Sequence, residues 1–95
     1  MEPESWFGHY KLGLTYFALQ NYKESEKEFR KAQDLDPSFS EIHVRLGNVY
    51  LRQQNAPKAL AEFESYLHKD PKGRLAPRVR QVVNDMRAAG VQPPS

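Results

Sequence analysis

Three histidines, His9, His43 and His68, and a run of carboxylates at Glu24, Glu26 and Glu28 are the residues whose chemistry could reach beyond packing. Imidazoles bind zinc when several converge with carboxylates or thiolates. No two of these histidines share a helix face at a four-residue step, no acidic residue completes a ligand spacing, and cysteine is absent. His9 and His43 are therefore assigned to packing between helices. Catalysis needs a nucleophile or a titrating pair in a partly dry pocket. The chain has no glycine-rich phosphate loop and no triad spacing, and its serines stand at helix starts or on the surface. The glutamates are interleaved with Lys23, Lys27, Arg30 and Lys31, the pattern of a solvated helix face with pairs such as Glu26 and Arg30. The residues point away from an enzyme and from any metal or cofactor, and toward binding.

Composition agrees with one ordinary folded domain: 95 residues, 39% hydrophobic and 27% charged. A domain this short buries only about 60–65% of its unfolded surface and here has no disulfide to staple it. The near-continuous apolar stretch from Leu12 to Leu19 is far shorter than the roughly 20 residues that span a bilayer. The start, Met1-Glu2-Pro3-Glu4, is acidic where an export signal is basic, which leaves the cytoplasm as the default compartment. The net charge of +2 is uneven, with six cations against two carboxylates from His68 onward. Arg74, Arg78, Arg80 and Arg87 could follow phosphates, but no aromatic residue is interleaved with them, so nucleic acid is not the expected partner.

Shifting the chain against itself by 34 residues aligns His9 with His43, Leu12 with Leu46, Gly13 with Gly47 and Tyr16 with Tyr50. Gln20-Asn21 then meets Gln54-Asn55, Ser25 meets Ala59, Phe29 meets Phe63, and Asp36-Pro37 meets Asp70-Pro71. A period of this size signals stacked supersecondary units.

Local signals divide each period into two helices. The first runs from about Glu4 to Leu19, with Pro3 at its start. Asn21 with Glu24 makes a capping-box pair for a second helix that ends near Leu35, before Asp36-Pro37. Ser38 with Glu41 opens a third helix reaching about Gln53. Asn55 caps a fourth, with Pro57 in its first turn and Ala59, Leu60, Phe63, Tyr66 and Leu67 on its buried face, before Asp70-Pro71-Lys72-Gly73 ends it. A fifth runs from Pro77 through Val79, Val82, Val83 and Met86 to a C-capping Gly90, with Arg78, Arg80, Gln81, Asp85 and Arg87 on its polar side. Val91 to Ser95 is expected to be a frayed tail.

Leu12-Gly13-Leu14-Thr15-Tyr16 and Leu46-Gly47-Asn48-Val49-Tyr50, each followed by a large aromatic and a terminal proline, resemble the tetratricopeptide repeat family. The resemblance covers residues 6–73 and implies an all-α, right-handed helical-repeat solenoid fragment: two antiparallel helix pairs plus a capping helix. The repeats are placed at 4–37 and 38–73, the cap at 74–90 and the tail at 91–95. In the family the glycine lets paired helices approach closely, against the small residue Ser25 or Ala59. His9 and His43 replace its usual early tryptophan, and Gln20 and Gln54 its turn glycine. Tyr66 replaces the small residue that is Ala32 in the first repeat, so the fifth helix must pack differently from a third repeat.

Apolar residues surround the first helix instead of forming one stripe. Packing on the second and third helices accounts for Leu12, Tyr16, Leu19 and Phe17. Trp6, Phe7, Tyr10 and Leu14 remain for an earlier repeat outside this chain, a second copy, or a partner surface. The resemblance implies that the first helix of each pair lines a concave groove, placing Phe7, Tyr10, Lys11, Leu14 and Phe17 there with Glu41, Val44, Arg45, Asn48, Leu51 and Arg52. Tyr10 and Leu14 stand where chaperone-gripping members carry lysine and asparagine, so the groove reads as aromatic and apolar with a basic rim. The expected function is a scaffold that binds a protein or peptide segment there. The alternative is a structural or self-associating end piece of a longer array.

Overall fold

The computed structural model describes residues 5–95; the expected helix start at Glu4 and its Pro3 signal lie outside them. Five helices follow one another: α1 (Trp6–Ala18), α2 (Tyr22–Leu35), α3 (Glu41–Arg52), α4 (Ala56–Lys69) and α5 (Ala76–Ala88). There is no strand among the described residues. α1 packs along α2 and α3 along α4, with smaller contacts from α2 to α3 and from α4 to α5. The resulting stack is elongated, 49 × 28 × 24 Å.

Close approach within each pair rests on glycine. A Cβ at Gly13 would lie 2.5 Å from the Phe29 ring, and one at Gly47 would lie 2.5 Å from the Phe63 ring. The aromatic ring thus occupies the space the missing side chain leaves, which makes it the principal contact rather than the small residue expected from the sequence. Ser25 adds a buried hydroxyl that donates to the Gly13 carbonyl at 2.7 Å. Phe29 and Phe63 are almost wholly buried, and burial of such a ring stabilises by about 1.5–3 kcal/mol.

The caps depart from expectation at two helix starts. Asn21 precedes α2 without a side-chain cap bond, and α3 starts after Ser40 rather than Ser38. Ser38 instead donates to Asp36 at 2.6 Å, while Ser40 donates to Asp70 across the repeat at 3.2 Å. Asn55 does accept from the Lys58 amide at 3.3 Å. At the other ends, α1, α3 and α5 share one closure. Gln20, Gln54 and Gly90 take positive φ of 62°, 60° and 90°. The amide after each bonds back to Tyr16, Tyr50 and Met86 respectively, which is a Schellman motif.

The fifth helix is held by the residue that breaks the repeat pattern. Tyr66 is fully buried, and its hydroxyl accepts from the Leu75 amide at 3.1 Å, fixing the entry to α5. Ala76, Val79 and Val83 then bury against α4. Beyond α5, Val91 packs against the core and donates its amide to the Met86 carbonyl.

Candidate partner-binding groove

The surplus aromatics of α1 find partners within the chain. Phe39, from the turn between α2 and α3, packs tilted against Trp6 with ring centroids 4.7 Å apart and meets Tyr10 edge-on at 5.2 Å. Tyr10 is buried, and its hydroxyl accepts from Arg45 Nε at 2.9 Å. Trp6 and Tyr10 therefore both have packing partners within the chain. Phe7 stays 50% exposed, with the Lys11 ammonium 5.1 Å above its ring. Conversely, Leu12 and Leu19, assigned to internal packing from the sequence, are 47% and 69% exposed.

Leu14 and Phe17 of α1 meet Arg45 and Asn48 of α3 around a small pit floored by Phe29. Phe17 packs edge-on against Tyr22, and the Arg52 guanidinium lies 5.9 Å from its centroid. Asn48 also lines a shallow trough with Phe17, Leu51 and Arg52. It borders, in addition, a hollow of about 390 Å³ between α3 and α5, where Val44, Arg45 and Leu51 face Leu75, Arg78 and Val82. The half-buried Asn48 amide makes no side-chain hydrogen bond to any described residue, which leaves donors and acceptor at the meeting point of the three depressions.

The α5 wall was not visible as groove in the sequence, where Arg74, Arg78, Arg80 and Arg87 looked like one basic set. The structure separates them. Arg74 pairs with Glu41 at 3.0 Å, Arg87 pairs with Glu64, and Arg80 donates to the Pro71 carbonyl. Arg78 has no ion pair among the described residues.

Between the helices lies a polar network the sequence reading also missed. His9 Nδ1 lies 2.7 Å from Glu28 and His43 Nδ1 lies 2.8 Å from Glu62. Both members of each pair recur at the 34-residue period, a signal that could have revealed them. Arg30 does not pair with Glu26 as expected. It reaches Glu62 at 3.0 Å and the Tyr50 hydroxyl at 2.8 Å, and that hydroxyl donates to Glu26 at 2.7 Å. Burial, helped by the Glu26 carboxylate, raises the pKa of Tyr50. At Glu62, burial opposes the charge, but the His43 hydrogen bond and the Arg30 charge outweigh it and hold the carboxyl below its ordinary range.

No described helix is long and apolar enough to cross a membrane. The tetratricopeptide repeat model matches residues 10–74. Anaphase-promoting complex subunit 6 of Arabidopsis thaliana is 30% identical over 61 residues, 64% of this chain and 11% of the relative. Subunit 3 of the same complex is 28% identical over 72 residues in Dictyostelium discoideum, covering 76% of this chain and 7% of the relative. In Schizosaccharomyces pombe, subunit 3 is 36% identical over 56 residues, covering 58% and 8%. The chain thus spans about a tenth of the length of these curated relatives or less. The repeated helix pair, its glycine–phenylalanine contact and the family match agree: the chain belongs to the tetratricopeptide repeat family.

Proposed function

We propose that this chain is a non-catalytic module that binds a segment of another protein in the groove formed by α1, α3 and α5. The observation that carries this reading is Asn48, an amide with no side-chain hydrogen bond among the described residues where three depressions meet between apolar walls. Apolar walls with a few convergent polar groups are what a peptide site needs. Leu14, Phe17, Val44 and Leu51 supply the apolar contacts, and Arg45, Asn48 and Arg52 the polar ones. Phe7 and Lys11 extend the surface toward the start of α1, while the buried Tyr10 holds Arg45 from beneath rather than serving as an anchor. Family membership supports protein interaction in general, and relatives named as subunits of a complex fit a part that contacts other chains.

The test is to select peptides against the folded chain from a random display library and map them by amide chemical shifts. Shifts concentrated at Leu14, Phe17, Asn48 and Leu51 are expected. Peptides that perturb only the outer faces of α2 and α4 would remove the groove from consideration.

A second reading, an end piece that docks on a further repeat or a second copy, is favoured by one contrast. Leu46 is fully buried within the stack, whereas its counterpart Leu12 is 47% exposed. Sedimentation over a range of concentrations tests the self-associating form, which predicts a mass that rises with concentration.

A further inference from the structure

We propose that the hollow between α3 and α5 recognises an acidic segment of a partner protein. It would seat one large apolar side chain and bind flanking carboxylates at Arg45 and Arg78. This deepens the groove reading above and rests on it.

Charge sorting carries the inference. Three guanidiniums, those of Arg45, Arg74 and Arg78, line the hollow. The Glu41 carboxylate pairs with Arg74. Arg45 spends its Nε on the neutral Tyr10 hydroxyl, and Arg78 has no ion pair among the described residues. Two cations therefore stand at the rim without a carboxylate among the described residues. Away from the hollow's lining, Glu28, Glu62 and Glu64 are already paired with internal cations, Lys31, Arg30 and Arg87. A chain of net charge only +2 thus presents a distinctly cationic hollow, and guanidinium forks bind carboxylates more strongly than they bind neutral acceptors.

Shape and lining select the class of partner. At about 390 Å³ the hollow sits near the small end of ligand sites, roughly 300–1,000 Å³, room for one or two large side chains. Its walls are chiefly aliphatic, from Val44, Leu51, Leu75 and Val82. Single-stranded nucleic acid is held by bases stacked on aromatic faces, and the aromatic ring lining this hollow, Phe63, is only 2% exposed. A peptide backbone, by contrast, can bond the Asn48 amide at the hollow's edge.

The experiment takes random dodecapeptides selected on the full chain and measures the winners by fluorescence anisotropy. Enriched sequences should carry several Asp or Glu around a Leu, Ile, Met or Phe. Their affinity should fall about tenfold in Arg78→Gln and weaken as salt rises, as expected when a binding charge is lost or screened. Lys27→Gln, on an exposed outer face of α2, should leave affinity unchanged. Arg78 is exposed, so its variant should fold, which circular dichroism checks. Neutral or basic peptides that still shift groove amides would overturn the acidic preference while leaving the groove reading intact. If no peptide shifts the groove, both fail. Oligodeoxythymidine binding as tightly as the acidic peptides would overturn peptide recognition in favour of phosphate.

Discussion

The Nδ1 of His43 and a carboxylate oxygen of Glu62 lie 2.8 Å apart across the α3–α4 interface, 19 residues apart in sequence, and His9 and Glu28 repeat the relationship between α1 and α2. In the second repeat the glutamate also takes Arg30 from the first, so one carboxylate ties both helix pairs together. Glu62→Gln should therefore destabilise the fold by about 1–3 kcal/mol at neutral pH, as when a charged, largely buried acceptor of several hydrogen bonds is replaced by a neutral one. Because the Glu62 pKa is lowered in the folded state, its stabilisation is complete above the ordinary glutamate value of about 4.3 and is lost as pH falls through the folded value. Urea denaturation of both chains across that range should show their difference shrinking on acidification. A difference that stayed constant or grew would mean that the Glu62 charge contributes nothing.

Gly47 and Phe63 form a lock of a different kind. A methyl group at Gly47 would sit 2.5 Å from the ring, inside any real contact, so Gly47→Ala should cost about 1–3 kcal/mol through overpacking. Helix propensity alone would favour alanine by about 1 kcal/mol, so the two effects have opposite signs and the measurement decides between them. In a double-mutant cycle, Phe63→Leu should reduce the penalty of Gly47→Ala by opening space for the methyl.

The periodic part of this architecture was legible because each repeat element leaves a mark at fixed spacing: Leu12 and Leu46, Gly13 and Gly47, Asp36-Pro37 and Asp70-Pro71. What escaped was non-periodic or had equally good local alternatives. Phe39 covers Trp6 and Tyr10, yet its counterpart 34 residues on is Gly73, so comparing the repeats gave no hint of a lid. Arg30 stands four residues after Glu26, a favourable helical spacing, but the nearby Tyr50 and Glu62 draw the guanidinium across the interface instead. Groove residues could be named by position along α1 and α3. The α5 wall could not, since its packing depends on Tyr66, where the repeat pattern itself is broken.

The Schellman closures give a prediction with the opposite sign. Gln20 and Gln54 hold φ of 62° and 60°, a left-handed conformation that costs a side chain about 1 kcal/mol and costs glycine far less. Gln20→Gly and Gln54→Gly should each raise stability by about 0.5–1 kcal/mol, after allowance for the greater freedom of glycine in the unfolded chain. Both sites are exposed and distant from one another in sequence, so the gains should add. Thermal melts of the single and double variants check this, and a loss at either site would show that the glutamine side chain contributes something beyond its backbone angle.

Leu12 and Leu46 occupy equivalent places in the two repeats, yet one is 47% exposed and the other fully buried. In the isolated chain Leu46→Ala should cost about 2–5 kcal/mol, the range for a core leucine, whereas Leu12→Ala should fall within about 0.5 kcal/mol of the parent, as surface changes do. The second comparison is informative only together with hydrodynamics. If α1 docks on another copy, Leu12→Glu and Leu19→Glu should abolish any concentration-dependent rise in sedimentation coefficient while leaving the melt of the dilute chain unchanged, because a buried charge is costly only where a partner buries it. If sedimentation of the parent does not depend on concentration, self-association is removed. The exposed leucines would then stand either as a docking face for a different repeat or as ordinary surface, and a fused preceding helix pair separates these by whether Leu12→Ala acquires the cost now confined to Leu46→Ala.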